Sequence, residues 1–443
     1  MENNKTKLSL SRRDFVRNSS LVAGGMLAMP IISRANYFSG SADKIKIALI
    51  GCGGRGTGAA VQALSTKQNV ELVAMADAFK DRLDGSYKNI QEALGANAKA
   101  LNVKEENKFV GFDAYKQAIA LADVVILTTP PGFRPYHFEE AVNQGKQIFM
   151  EKPVAVDPAG IQKVLKAAEI AKAKKLNVVV GLQRHYQNSY RELYKRVQDG
   201  MVGEVLSAQV FWNQGALWVK PRKPEYSEME YQMRNWYYFN WLCGDIIVEQ
   251  HLHNIDVMNW FSGKYPVKVV GSGGRAVRTG KEYGEIFDHH CLEYTYDNDT
   301  VMNSQCRHWK DSASRVDEEI TGTKGKVLCD AARIVDHKGK VLYQFDKTKE
   351  NNPYQTEHDE LFAAIAKGEY KFHDTERAAK STLTAIMGRL ATYSGQEIEW
   401  EKALNSGLDI MPKEFTFDAM PPVVPGPDGF YPHAIPGQTQ YFK

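Results

Sequence analysis

Four closely spaced glycines, an acid at the end of the following strand, and a carboxylate and an imidazole four residues apart are the features of this chain that could do chemistry. The run Gly51-Cys52-Gly53-Gly54-Arg55-Gly56 follows an apolar stretch at residues 44–50 and precedes a helical segment expected over 57–64. In that setting Gly51 permits a tight turn, Gly53 lets backbone approach a pyrophosphate, and Gly56 allows close helix–strand packing. The helix N-terminus would then face the phosphates, with Gly54 and Arg55 completing the cradle. A second apolar stretch, 70–76, ends at Asp77, where a carboxylate bonds ribose hydroxyls and repels a 2′-phosphate. This favours NAD, while Lys80 and Arg82 keep NADP open. Glu249 and His253 would share one helix face. A carboxylate beside an imidazole raises its basicity and orients it, which suits proton removal accompanying hydride transfer.

Positioning these residues requires an α/β scaffold. Apolar stretches at 44–50, 70–76, 122–129 and 147–150 alternate with helical segments, the rhythm of a doubly wound parallel sheet. Thr128, Thr129 and Pro130 fall at a carboxyl strand end, where such sheets bind ligands, and His137 lies on the helix that follows. The expected division is an N-terminal segment 1–40, a dinucleotide domain 44–155, a substrate domain 156–400 and an extended, proline-rich tail 401–443 that wraps a neighbouring surface. An amphipathic helix is expected from Thr375 to about Ser394, packing on the first domain.

Composition sets the outer bounds. The 443 residues are 43% hydrophobic and 25% charged with a net charge of +3, an ordinary globular balance with no basic run of the kind that marks nucleic-acid binding. Five cysteines are scattered singly, without a CxxC pair, so no zinc or redox motif is expected, and Cys52 reads as a small buried residue. His251 forms an H-x-H with His253, but residues two apart on a helix diverge, so His251 reads as structural and no metal site is expected. At the N-terminus, Lys5, Lys7, Arg12, Arg13 and Arg17 precede an apolar stretch too short and glycine-rich for a membrane span. Ser11-Arg12-Arg13-Asp14-Phe15 resembles a twin-arginine export signal, which implies a periplasmic protein exported folded, with its nucleotide already bound.

From about residue 44 to 395 the chain resembles the Gfo/Idh/MocA group of oxidoreductases (glucose–fructose oxidoreductase, inositol dehydrogenase). The resemblance rests on the 51–56 loop, Asp77, the stretch 128–131, Glu151-Lys152-Pro153, Gly181-Leu182-Gln183-Arg184-His185 and the histidine-bearing helix 244–256. It implies a second domain with a mostly antiparallel, open-faced sheet that forms a dimer or tetramer interface. It also implies Glu151 and Lys152 at the nicotinamide, with Lys152 holding the substrate hydroxyl, His253 as general acid or base, and Asp256 as the trailing acid of that helix. Glu249 stands where the group has Asp, which leaves its part as orienter or direct base open.

Between residues 212 and 241 lies an aromatic insertion whose faces could stack on sugar C–H groups. Arg234 and Trp236, near the Glu249–His253 helix, are the expected substrate contacts, together with Arg184 and His185. Three functions follow: a sugar or polyol oxidoreductase using NAD(P); a redox-neutral glycoside hydrolase with tightly bound NAD; and a non-catalytic sugar-binding protein.

Overall fold

The computed structural model describes residues 44–442, so the export-like segment lies outside the described residues. Six short strands form the first sheet: β1 (Ile45–Ile50), β2 (Val70–Asp77), β3 (Lys108–Val110), β4 (Val124–Leu127), β5 (Gln147–Met150) and β6 (Val178–Val180). All pair in parallel, in the order β3-β2-β1-β4-β5-β6. The residues of β4, β5 and β6 are buried on both faces, as a sheet covered by helices on each side demands, while β3 at the edge is open to solvent at Val110. Strand order reverses between β1 and β4, opening a crevice at their carboxyl ends. Because β6 completes this sheet, the first domain runs past the expected boundary at 155. Helix Pro158–Ala173 therefore belongs to it, started by the Asp157 side chain, which accepts from the Gly160 N–H at 2.7 Å.

Helix Gly54–Leu64 begins a turn earlier than residue 57, so the whole second half of the glycine loop is its first turn. A Cβ on Gly56 would stand 2.0 Å from the Gly51 carbonyl oxygen and 2.5 Å from Thr128 Oγ1. Gly56 is thus what brings the helix against the β1–β4 strand ends. Gly56→Val is expected to cost at least about 2 kcal/mol through overpacking and to abolish nucleotide binding. Denaturant midpoints and NAD titration would check both; an unaltered midpoint would remove the close-packing role.

The second sheet has nine strands: β7 (Val205–Gln214), β8 (Pro266–Gly274), β9 (His289–Tyr296), β10 (Val301–His308), β11 (Arg315–Gly322), β12 (Lys326–Leu328), β13 (Arg333–Val335), β14 (Val341–Gln344) and β15 (Ile398–Glu399). It is antiparallel except where β7 and β10 run side by side. In β9 and β10 burial alternates residue by residue, one face packed on helices and the other open. The late helix, Thr375–Ser394, is buried on nearly every side rather than amphipathic, because it lies between β8, helix Leu252–Ser262 and helix Pro158–Ala173. Helix Pro353–Ala366 returns to the first domain and packs on helix Gly54–Leu64.

The range expected to be extended opens inside helix Trp400–Leu404, and the chain beyond it lies without regular structure over its own two domains. The Ile410 N–H donates to Asp157 at 2.9 Å, Phe417 packs on Phe79 and Phe112, and Val423 accepts from Gln232 at 2.7 Å. All five cysteines are free, and Cys52 is buried. Among the described residues no helix is long and apolar enough to cross a membrane.

Candidate active site

A cleft of about 580 Å³ opens at the strand-order reversal, a volume suited to a cofactor with a small substrate. Its floor is the glycine loop. A Cβ on Gly53 or Gly54 would meet nothing within 4 Å, whereas one on Gly51, at φ +95°, would strike Thr129 N at 2.5 Å. Helix Gly54–Leu64 has no side-chain cap, so its first N–H groups point into the cleft without a partner from a capping residue. An uncapped helix end above an open glycine floor fits a dinucleotide pyrophosphate. Asp77 closes one end: its carboxylate accepts from Cys52 N–H at 2.6 Å and Phe79 N–H at 2.9 Å, and burial pushes its pKa up.

The opposite end is built from charged residues. Thr128 Oγ1 donates to the Gly51 carbonyl at 2.6 Å, and Thr129 Oγ1 meets His137 Nδ1 at 3.1 Å. Pro130 continues the wall. His137 stacks on Tyr115 at 4.1 Å, and burial pushes it down to about 3. Arg55 lines the cleft, but its guanidinium is engaged by Glu151, by Glu357 at 3.2 Å and by Gln62 at 2.9 Å. The Arg55 side chain is thus taken up by protein partners, and the donors left facing the cleft at this turn are backbone N–H groups. Glu151 overlies Gly181, where a Cβ would sit 2.8 Å from its carboxylate.

Lys152, Glu249 and His253 converge. The Lys152 ammonium donates to the Glu249 carbonyl and, at 3.2 Å, to Glu249 Oε1. Glu249 sits in a wide π-type turn, Ile247–His251, at the start of helix Leu252–Ser262, a distortion that recurs at functional sites. Burial raises its pKa against the pull of Lys152, and Oε2 has no partner among the described residues. The expected carboxylate–imidazole contact does not form: Glu249 serves Lys152 instead. Burial, then the Lys152 and Arg184 cations, push His253 well below the ordinary histidine range, so its ring is neutral. That ring lies 5.9 Å from Trp212, centre to centre, with Nδ1 unpartnered.

Three expected substrate residues lie outside the cleft wall. Arg184 is buried on Glu318, and His185 pairs with Asp256 at 2.6 Å and stacks on Trp260 at 3.9 Å. Asp256 also accepts from Ser381 at 2.7 Å. These are buried polar links behind the site, and desolvation made pairing their favourable state. His251 is likewise structural, bonded to Ser304 at 2.7 Å. Arg234 and Trp236 do line the cleft. Of the other insertion aromatics, Tyr231, Tyr237, Tyr238 and Trp241 are core. Sequence reasoning passed over Arg134, Lys220 and Tyr354, all on the wall. Arg134 is 1% exposed, donates to the Thr129 carbonyl at 2.6 Å, and is pushed down to about 10 by burial.

The buried neutral histidines make stability acid-sensitive. His137 and His251 are held near 3, and His253 and His358 well below 6.5, all chiefly by burial. Below about pH 6.5 the unfolded chain binds protons that these folded rings refuse, costing up to about 1.4 kcal/mol per histidine per pH unit. Glu357, whose carboxyl burial pushes well up, takes a proton when folded and offsets part of this. The urea midpoint is expected to fall between about pH 7 and about pH 5.5; a constant midpoint would contradict neutral burial.

Sheet order, glycine floor and the Lys152 cluster together define a two-domain dinucleotide-binding oxidoreductase. The chain belongs to the Gfo/Idh/MocA family. The family's NAD-binding Rossmann-fold model matches residues 45–181 and its C-terminal domain model residues 190–328, together more than half of the chain. Inositol 2-dehydrogenase of Rhizobium meliloti is 25% identical over 336 residues, 73% of this chain and 89% of that protein. The Salmonella typhimurium inositol 2-dehydrogenase is 27% identical over 216 residues, 49% of this chain and 54% of that protein. Scyllo-inositol dehydrogenase from Lactobacillus casei, solved with NAD(H) and scyllo-inositol, superposes with a TM-score of 0.61 at 18% identity, covering 81% of this chain and 100% of that one. Aldose–aldose oxidoreductase from Caulobacter crescentus, solved with glycerol, gives 0.60 at 17% identity, covering 81% and 100%.

Proposed function

We propose that the protein oxidises a secondary hydroxyl of a neutral cyclic polyol or sugar, using NAD. The observation that carries this reading is the Lys152–Glu249–His253 cluster buried beside the glycine-floored cleft. When bound, the nicotinamide supplies the hydride acceptor. Lys152, held by Glu249, donates to the substrate oxygen and stabilises charge developing on it. Neutral His253 takes the hydroxyl proton as the C–H hydride leaves and the carbonyl forms. Trp218 and Trp236 offer apolar faces to the ring.

Charge supports a neutral substrate. Six basic side chains line the cleft, and Arg55, Lys152 and Arg234 are paired with carboxylates. Among the described residues Arg82, Arg134 and Lys220 have no such pair, and Asp77 and the pyrophosphate take them up first.

A second reading is cleavage of a glycoside by transient oxidation and re-reduction, favoured by the wall that Trp218, Lys220, Arg234 and Trp236 of the second domain add to the nucleotide cleft. The twin-arginine-like segment supports export to the periplasm, and cell fractionation tests that. For the chemistry, NADH absorbance would be followed with NAD⁺ and a panel of inositols, aldoses and p-nitrophenyl glycosides. Reduction with inositols or aldoses is the expected result. Nitrophenol release without net NADH would favour the second reading, and neither signal from protein that binds NAD would overturn both.

A further inference from the structure

The second domain reaches into the nucleotide cleft through the insertion after β7, which contributes Trp218, Lys220, Arg234 and Trp236 to the wall. Arg234 is fixed across the gap. Its guanidinium donates to Asp81 at 3.1 and 3.3 Å and lies 4.1 Å above the Phe79 ring. Both partners belong to the first domain, two and four residues past Asp77. The contact therefore closes the second domain onto the strand end where a ribose would lie.

Lys220 sits beside this closure, because its N–H donates to the Asn235 side chain at 2.8 Å. Its ammonium is 5.6 Å from the Trp218 ring and has no carboxylate partner among the described residues. The tail braces both sides from outside. Gln232 of the insertion donates to the Val423 carbonyl at 2.7 Å, and Tyr431 meets Glu228 at 2.5 Å. Phe417 packs 5.4 Å from Phe79 and 4.9 Å from Phe112, both cleft-wall rings.

We propose that this roof is part of the dinucleotide site: Lys220 takes a pyrophosphate oxygen from the side opposite the glycine floor, and the Arg234–Asp81 and Phe79–Phe417 contacts slow release of the nucleotide after each turnover. The inference rests on the dinucleotide reading above. Asp81 is exposed, so its ion pair alone contributes little. Stacking of the guanidinium on Phe79 adds to it, and lysine with a phosphate oxygen is a charge-assisted contact of the stronger kind.

The test is nucleotide exchange. Protein loaded with NADH and freed of excess is mixed with a large excess of NAD⁺, and the loss of bound NADH fluorescence is timed. Wild-type NADH release is expected to be the slowest step, at a rate equal to kcat. Asp81→Ala with Phe417→Ala is expected to speed it by about tenfold or more, and Asp81→Asn alone by a smaller factor should the double variant not fold. Lys220→Gln is expected to weaken NADH binding about tenfold while leaving affinity for adenosine, which has no phosphate, unchanged. Folded variants that exchange at the wild-type rate, or wild-type NADH release much faster than kcat, would overturn the slow release. Equal loss of NADH and adenosine affinity would overturn the Lys220 contact. Protein that takes up no NADH would fail the dinucleotide reading as well, whereas free release of bound NADH would fail this inference alone.

Discussion

Lys152→Met is expected to lower kcat by roughly 10³-fold while substrate binding falls much less, because the ammonium acts where charge develops on the reacting oxygen. The same change harms stability. Lys152 and Glu249 are an ion pair through Oε1 with side chains only 10% and 11% exposed, and Glu249 Oε2 has no partner among the described residues. Removing one half of such a pair costs about 3–5 kcal/mol unless the survivor takes up a proton. The double variant Lys152→Met/Glu249→Gln separates the two effects, since it removes both charges. It should recover most of the denaturant midpoint and none of the turnover. Recovery of both would mean that Lys152 is a structural cation; full activity in the single variant would end its role in the reaction.

His253→Ala is the second large effect expected, a fall in turnover of about 10²-fold or more. The geometry adds a pH signature. Burial and the Lys152 cation both hold His253 below its ordinary range, so the base form persists into acid. The acid limb of kcat/KM should then lie below about pH 6.5. Removing the neighbouring cation favours the protonated ring, so in Lys152→Met the residual activity should lose its base at a higher pH than wild type does. An acid limb that stays put in that variant would separate the two residues. A His253→Ala rate equal to wild type would strike the imidazole from the mechanism.

The fold was legible where short-range physics decides it. Strands β1, β2, β4 and β5 are buried on both faces and read as apolar runs, and the glycines needed at 51, 53 and 56 have local backbone reasons. Lys152, Glu249 and His253 were brought together by motif resemblance and helix spacing. Their pairing was not legible: four-residue spacing predicts that Glu249 serves His253, whereas the π-type turn carries its carboxylate to Lys152. Arg184, His185 and Asp256 stand near motif residues in sequence, while in space each has a buried partner and lies outside the cleft wall. Tyr354 and Lys220 reach the wall from distant segments, and no local pattern records such an approach. The domain boundary at 155 failed for a related reason: β6 is three residues long, and a strand that short gives no periodic signal.

The chain crosses between the two lobes more than once. It leaves the first after β6, returns in helix Pro353–Ala366, and leaves again into Thr375–Ser394, a helix packed against both. Phe372 and Asp374 tie the return path to the β6 edge through backbone bonds at 3.0 and 3.1 Å with Val178. Two bodies joined by one linker can swing apart like a clam; two bodies stitched three times, with a helix wedged at the seam, cannot do so without shearing a packed core. The insertion and the tail lie outside that seam: they are laid over the cleft and held by a few contacts, Gln232 to Val423, Tyr431 to Glu228 and Phe417 on Phe79.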